Sequence, residues 1–259
     1  MLNLNTITAT TSNSYNKLNL VFISGWGYLP SALQPLATEL TSSLPAQVQL
    51  YSWLDFVHSP PPLPANSWLI GWSLGGMLAA NLAAQQPHKF AGLIMLGSNA
   101  CFVQQASWPN ALPTAELALF MQAVHQEPAQ TLQRFAQLCA QGSTEKRQLG
   151  LTLRQQLATP NKDQLLLGLK LLQELDLRSA IYSCTAPKLA VFFQQDALVP
   201  AGVVKSLQQL NLIHTTTNNA CTAQQLTTLL PGSHALPLHQ PKDLAIHLHK
   251  FITTATSTH

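Results

Sequence analysis

The 259-residue chain predicts an α/β fold: a mostly parallel central sheet flanked by helices and interrupted by a four-helix insertion. Three observations predict it. Short apolar runs are bounded by Gly, Ser or Pro, which marks buried strands. A strand–helix–strand pattern fits into about 30 residues, the size of a βαβ unit. A long central span then carries only helix-length segments.

Residues 18–24 (LNLVFIS), 67–71 (SWLIG) and 92–96 (GLIML) are predicted strands. Between the last two, residues 74–86 are rich in Ala and Leu and are closed by Pro87, which predicts a helix with a stop signal. From Pro113 to Leu177 no strand pattern occurs, and helices are predicted at 114–127, 128–141, 144–158 and 161–175. Gly142 and Pro160 punctuate this region; Pro128 suits a first helical position, and Thr159 or Asn161 suits the cap of the fourth helix. Strand texture returns at 188–193 (KLAVFF), followed by a helix at 200–210, a weak strand near 212–215 and a closing helix at 241–253. The expected organisation is a core of residues 1–104 and 179–259 around a helical lid of residues 105–178. Residues 58–64 (HSPPPLP) predict a stiff loop, and residues 215–228 read as a polar insertion whose structure the sequence does not define.

With 46% hydrophobic residues and a net charge of +3, the chain is not disordered as a whole. No basic stripe with interleaved aromatics marks a nucleic-acid partner. No run of about 18 apolar residues marks a membrane span. The first twenty residues lack a basic stretch followed by an apolar one, so no secretion signal is expected and a cytoplasmic location is. Cys101, Cys139, Cys184 and Cys221 show no CxxC spacing. They are expected to be free thiols rather than disulfides or zinc ligands, and neither a metal nor a cofactor is called for.

The sharpest chemical feature is Gly71-Trp72-Ser73-Leu74-Gly75, followed by Gly76, at the junction of a predicted strand and a predicted helix. In that context Gly-x-Ser-x-Gly marks a nucleophile elbow, in which flanking glycines let neighbouring backbone approach a strained serine. The competing reading is a glycine-rich turn with a bystander serine. A serine hydroxyl needs a base, and the base needs an orienting acid. In such folds the chain order is Ser, acid, His. Asp196, directly behind KLAVFF, is the acid best placed at the carboxyl end of a strand, unless it serves only as a turn residue before Pro200. Of nine histidines, His234 and His239 follow it in a loop before the terminal helix, and His234, behind Gly232-Ser233, is preferred. The oxyanion hole requires two backbone N–H groups. Leu74, next after the serine, supplies one, and Trp26 in the Ser24-Gly25-Trp26-Gly27 loop supplies the other, unless Trp26 is an ordinary core residue.

These features resemble a known family. Gly25-Trp26-Gly27, GWSLGG at the elbow, SNACF and WP at the start of the insert, RF…GSTEKRQ within it, DALVP and the SHA…HQP tail are together similar to the α/β-hydrolase esterases of biotin synthesis. Those enzymes demethylate pimeloyl-acyl-carrier-protein methyl ester. The likeness runs from about residue 19 to residue 251. It implies a triad of Ser73, Asp196 and His234, with substrate contacts from Trp26 and Leu74. It also implies an acyl channel lined by Phe135, Ala136, Gln137, Leu138 and Cys139, and carrier-protein contacts from Arg134 and Arg147. On the residues alone, Arg134, Lys146, Arg147 and Arg154 against Glu145 form a local basic excess, which is either a simple solvated face or a patch that speeds encounter with an acidic partner.

The chain departs from the family pattern at Ser24, where relatives carry His, and at Gln130 and Leu151, where they carry basic residues. The link from Asp196 to His234, lengthened by the polar stretch around 215–228, is a further departure. The expectation is a monomeric serine carboxylesterase that takes its acyl chain from acyl-carrier protein. A short-chain esterase or thioesterase, a lyase on the same scaffold and a non-catalytic binding protein of the same fold are the competing readings.

Overall fold

The computed structural model describes residues 17–209, 214–215 and 225–257. Seven strands form one sheet in the order β2-β1-β3-β4-β5-β7-β6, and every neighbouring pair is parallel. β1 (Leu18–Ile23), β3 (Ser67–Trp72) and β4 (Phe90–Leu96) are the apolar runs expected from the sequence. Being central and covered on both faces, they read as continuous hydrophobic stretches rather than alternating ones. α1 (Gln34–Ser43) and β2 (Ala46–Tyr51) lie between β1 and β3 and were not expected. β2 is the sheet edge, and its AQVQLY sequence alternates, as a half-covered strand does.

α2 (Leu74–Gln85) follows β3 directly. It has almost no amphipathic contrast, because nine of its twelve residues are buried between the sheet and the remainder of the molecule. After β4 come α3 (Thr114–Gln126), α4 (Pro128–Ala140), α5 (Lys146–Gln155), α6 (Lys162–Glu174) and α7 (Arg178–Ser183). Pro128 occupies the first turn of α4. Asn161, not Thr159, caps α6: its side chain accepts from the Gln164 amide at 2.8 Å, and Gln164 Oε1 accepts from the Asn161 amide at 3.0 Å. α7 is short and polar in sequence and was not expected. Its carbonyl end is capped from the next strand, where the buried Lys188 ammonium donates to the Ile181 and Cys184 carbonyls.

β5 (Lys188–Phe193), α8 (Val203–Gln209), β6 (His214–Thr215), β7 (Gln225–Leu230), α9 (Leu236–His239) and α10 (Pro241–Thr256) complete the chain. Of the weak strand expected near 212–215, the last two residues form β6, and residues 212 and 213 lie outside the described residues. The end of the polar stretch 215–228 is part of β7, whereas residues 216–224, including Cys221, lie outside the described residues. Cys101, Cys139 and Cys184 are buried free thiols. All five tryptophans are buried. Among the described residues, no helix is long and apolar enough to cross a membrane.

Candidate active site

Ser73 sits between the last residue of β3 and the first of α2 with φ 55° and ψ −123°. Such a conformation costs a non-glycine residue about 1–3 kcal/mol and persists only where the surroundings impose it. Here they do. The Ser73 amide donates to the Leu96 carbonyl at 2.8 Å. The Ser73 carbonyl accepts from the Gly76 amide at 2.9 Å and from the Ser98 hydroxyl at 2.7 Å. The glycines around it are required by close approach rather than by dihedral angle. A Cβ on Gly71 would lie 2.3 Å from the Gly75 carbonyl oxygen, one on Gly75 2.3 Å from that of Ile23, and one on Gly76 2.0 Å from Ser98 Oγ.

The loop after β1 packs on this elbow, since a Cβ on Gly25 would lie 3.2 Å from Ser73 Cβ. Ser24 is fully buried, and its hydroxyl donates to the Tyr28 carbonyl at 3.0 Å, closing the loop on itself. Gly27 has φ 77°, a left-handed conformation that glycine adopts without steric cost. Among the described residues, no hydrogen bond engages the amide of Trp26 or of Leu74. The latter opens α2 and has no intrahelical acceptor, and the helix N-terminus adds partial positive charge there. Two free amides on loops in contact with the nucleophile elbow are what an oxyanion site requires.

Asp196 and His234 meet at the carboxyl edge of the sheet, beyond the ends of β5 and β7. His234 Nδ1 lies 2.7 Å from Asp196 Oδ2, and both side chains are fully buried. Asp196 Oδ1 accepts from the Leu198 and Val199 amides at 2.8 and 2.9 Å, which fixes the carboxylate's orientation. The two loops are laced together. The Gln195 amide donates to the Gly232 carbonyl at 2.9 Å, and the Gly232 amide donates to Gln195 Oε1 at 2.6 Å. Trp72, beside Ser73, donates its indole N–H to the His234 carbonyl at 2.9 Å, and the two rings lie 5.6 Å apart. Gly97, just after β4, would place a Cβ 3.3 Å from the imidazole. His234 Nε2, the nitrogen turned away from Asp196, is buried and has no partner among the described residues. His239 is placed elsewhere, on α9, with Nε2 3.4 Å from Ser143 Oγ.

The residues from the insert divide by helix face. Phe135, Ala136 and Cys139 on α4 are buried, while Gln137 is exposed and Leu138 half-buried. Five consecutive residues of a helix span more than one turn, so they face more than one side of α4. Phe135 packs edge-on against Trp26 at 4.9 Å and near Tyr28 at 5.8 Å. Gln137, Leu138 and Arg134 instead line a surface groove of about 530 Å³ between α3 and α4. Phe120, in the groove wall, also packs 5.6 Å from Trp26 and so touches both regions. Arg147 is exposed on α5.

Tyr28, Trp72, Gln195 and Ser98 belong to this site; Trp72 lies in the elbow motif and Ser98 in SNACF, but the sequence pointed to a role for none of the four. The Tyr28 ring stacks 4.8 Å from that of Trp72. Its hydroxyl is buried without an oxygen or nitrogen partner among the described residues and faces the Cys139 thiol. Burial pushes both the Tyr28 and Cys139 pKa values up, so both groups stay protonated.

Residues 62–238 match the family model described as alpha/beta hydrolase fold, more than half of the chain. The chain is 36% identical over 246 residues to the pimeloyl-[acyl-carrier protein] methyl ester esterase of Xylella fastidiosa strain 9a5c, covering 93% of this chain and 86% of that one. It is 32% identical over 250 residues to the biotin biosynthesis bifunctional protein BioHC of Cellvibrio japonicus. That match covers 91% of this chain but 47% of the relative, so the chain spans about half the length of that protein. Among solved structures, the bromoperoxidase of Bacillus anthracis superposes with a TM-score of 0.76 over 92% of both chains at 16% identity, a likeness of fold. The chain therefore belongs to the alpha/beta hydrolase fold family.

Proposed function

We propose that this chain is a serine carboxylesterase of biotin synthesis, hydrolysing pimeloyl-acyl-carrier-protein methyl ester to the free acid and methanol. The observation that carries the chemistry is the buried Asp196–His234 pair with a partnerless Nε2, beside an elbow that holds Ser73 in a strained conformation. The relatives at 32–36% identity, a pimeloyl-[acyl-carrier protein] methyl ester esterase and a biotin biosynthesis bifunctional protein, suggest the substrate class.

His234 Nε2 takes the Ser73 proton as Oγ attacks the ester carbonyl, and Asp196 holds the imidazole in the tautomer that leaves Nε2 unprotonated. The Trp26 and Leu74 amides stabilise the tetrahedral oxyanion. The imidazolium protonates the departing methoxide so that methanol is released, and water then hydrolyses the acyl-enzyme with His234 as base. No step requires a metal or cofactor. The core comprises residues 1–104 and 179–259, and residues 105–178 form a lid over Ser73. Phe135, Ala136 and Cys139 border the acyl chain on the inner side. The groove holding Gln137, Leu138 and Arg134 takes the outer part of a carrier-linked substrate, and Arg134 and Arg147 meet the acidic carrier protein. The enzyme acts as a cytoplasmic monomer.

The deciding experiment rescues a biotin auxotroph lacking this esterase with the wild type and with Ser73→Ala. Growth with the wild type alone is expected. Growth with both, or hydrolysis of the carrier-linked methyl ester by Ser73→Ala, refutes the assignment. Failure of the wild type to hydrolyse that ester, while hydrolysing short chromogenic esters or thioesters, redirects the substrate class.

A further inference from the structure

We propose that the helical insert positions the oxyanion loop, so that the aim of the Trp26 amide is set by the segment 156–158 and by α6 as well as by the sheet. The inference rests on the esterase reading above. Between Gly25 and Leu29, the hydrogen bonds that leave the loop's own neighbourhood all go to the insert. The Ala158 amide donates to the Gly27 carbonyl at 2.9 Å, and the Leu29 amide donates to the Gln156 carbonyl at 2.9 Å. Tyr28 and Leu157 thereby form an antiparallel bridge. The Trp26 indole N–H donates to the Leu165 carbonyl of α6 at 2.9 Å. By contrast, the bonds from Ser24 Oγ to the Tyr28 carbonyl and from the Tyr28 amide to the Gly25 carbonyl are internal to the loop and fix its shape, not its direction.

Packing repeats the pattern. A Cβ on Gly168 of α6 would lie 2.3 Å from Trp26 Cδ1, and one on Gly27 would lie 2.4 Å from Leu132 of α4. Gly168 is thus the position that lets α6 approach the indole. The Trp26 amide is held between a pinned indole on its own residue and a pinned carbonyl on the next. A shift of the segment 156–158 moves the carbonyl and a shift of α6 moves the indole; either misaims a donor whose value depends on alignment with the developing oxyanion. The segment 156–158 and Leu165 are therefore positioning elements. The same insert also anchors the base, since the Ala235 amide donates to the Cys139 carbonyl at the end of α4 at 3.1 Å.

Ala158→Pro tests this, because it deletes the N–H bonded to Gly27 while the extended Leu157 suits the residue before proline. Trp26→Phe removes the indole N–H and keeps an aromatic ring. Both are measured on a short chromogenic ester for kcat and KM, and for inhibition by a trifluoromethyl ketone, whose adduct with Ser73 needs the same oxyanion donors. Ala158→Pro is expected to lower kcat by about 10–100-fold with KM within about twofold, since a misaimed donor loses part of the 10²–10³ a deleted one costs. The ketone's inhibition constant rises in parallel. Trp26→Phe shifts both the same way by a smaller factor, and Ala158→Ser, which keeps the N–H, restores wild-type values. Should Ala158→Pro fail to give a cooperative thermal transition, Trp26→Phe decides. Folded variants with unchanged kcat and unchanged ketone inhibition, or with a change in KM alone, overturn the proposal. A wild-type protein that neither cleaves the ester nor is labelled by a fluorophosphonate overturns the esterase reading itself, and this inference with it.

Discussion

Asp196→Asn is the substitution for which the structure makes the most specific demand. The two carboxylate oxygens have different duties: Oδ1 accepts from the Leu198 and Val199 amides, and Oδ2 faces His234 Nδ1. An asparagine keeps one acceptor oxygen. If its NH₂ were turned toward the loop, it would oppose two backbone donors and leave them buried without an acceptor, at about 1–3 kcal/mol each. The oxygen therefore stays on the loop, and the NH₂ is presented to the imidazole. Nδ1 must then accept, the ring proton moves to Nε2, and the nitrogen that should take the Ser73 proton already carries one. In a serine protease triad this exchange lowers kcat by about 10⁴. At 1.36 kcal/mol per tenfold, that is about 5.5 kcal/mol of transition-state stabilisation. The fold should barely change, because both loop hydrogen bonds survive. The assay is kcat on a chromogenic ester beside a thermal melt. A well-folded Asp196→Asn that retains more than a tenth of wild-type kcat would refute the reasoning, because tautomer control would then not be what Asp196 supplies. Asp196→Ala should lose similar activity and, having abandoned the two amides, melt clearly lower than Asp196→Asn.

Ser98→Ala removes a hydroxyl that holds the Ser73 carbonyl, but Gly76 and Met77 amides still donate there. A loss of only about 1 kcal/mol in a urea melt is expected, and one above about 3 kcal/mol would show the elbow depends on Ser98 alone. The buried Lys188 ammonium has a pKa lowered by burial. Between that value and the unfolded one the unfolded chain binds more protons, so stability rises with pH in that window. Replacing it in Lys188→Met should lower stability at pH 7, by orphaning the Ile181 and Cys184 carbonyls, and should flatten the rise of Tm toward pH 10. An unaltered slope would detach Lys188 from it. Asp176, bonded by Arg178, has its pKa lowered to about 2, so that pair's contribution is complete above about pH 4 and is lost as pH falls toward 2. The Tm gap between wild type and Asp176→Asn should close over that range; a gap independent of pH would contradict it. Exchanging Arg134 and Arg147 for Glu together should slow encounter with the carrier-linked substrate, with a deficit that shrinks as salt rises. A salt-independent deficit would point to misfolding of α4 or α5.

What could be read from the sequence was what burial on both faces makes loud. β1, β3, β4 and β5 are unbroken apolar runs, and the elbow between β3 and α2 needs glycines that no other residue replaces. The insert's helices were legible through their stops and caps, Pro128 and Asn161. β2 was not, because an edge strand half open to solvent keeps glutamines at alternate positions, and a search for continuous apolar runs passes over it. β7 was hidden because QLTTLL begins inside a polar stretch and its two threonines break the apolar run. The backbone contacts that join the insert to both catalytic loops were invisible for a different reason. Carbonyls and amides carry no sequence signature, so Gln156, Ala158 and Cys139 could be placed only by their partners in space.

Two of the departures that the resemblance implied acquire a physical meaning from the same contacts. The Ser24 hydroxyl bonds the Tyr28 carbonyl within its own loop, and the pairing of 156–158 with Gly27 and Leu29 restrains the loop from outside. The 38-residue separation of Asp196 and His234 is harmless to the pair because neither residue is positioned by the link between them. β5 and β7 run parallel in register from Lys188↔Gln225 to Phe193↔Leu230, and the loops that follow are joined by the Gln194 and Gln195 amides donating to Leu230 and Gly232. The acid and the base leave the sheet at its carboxyl edge, three residues after β5 and four after β7, with a geometry set by the ladder rather than by chain length. Shortening the 216–224 segment should therefore leave the ester-cleaving rate intact while the strands stay paired. A fall in kcat without a fall in Tm would show that the segment itself reaches the site.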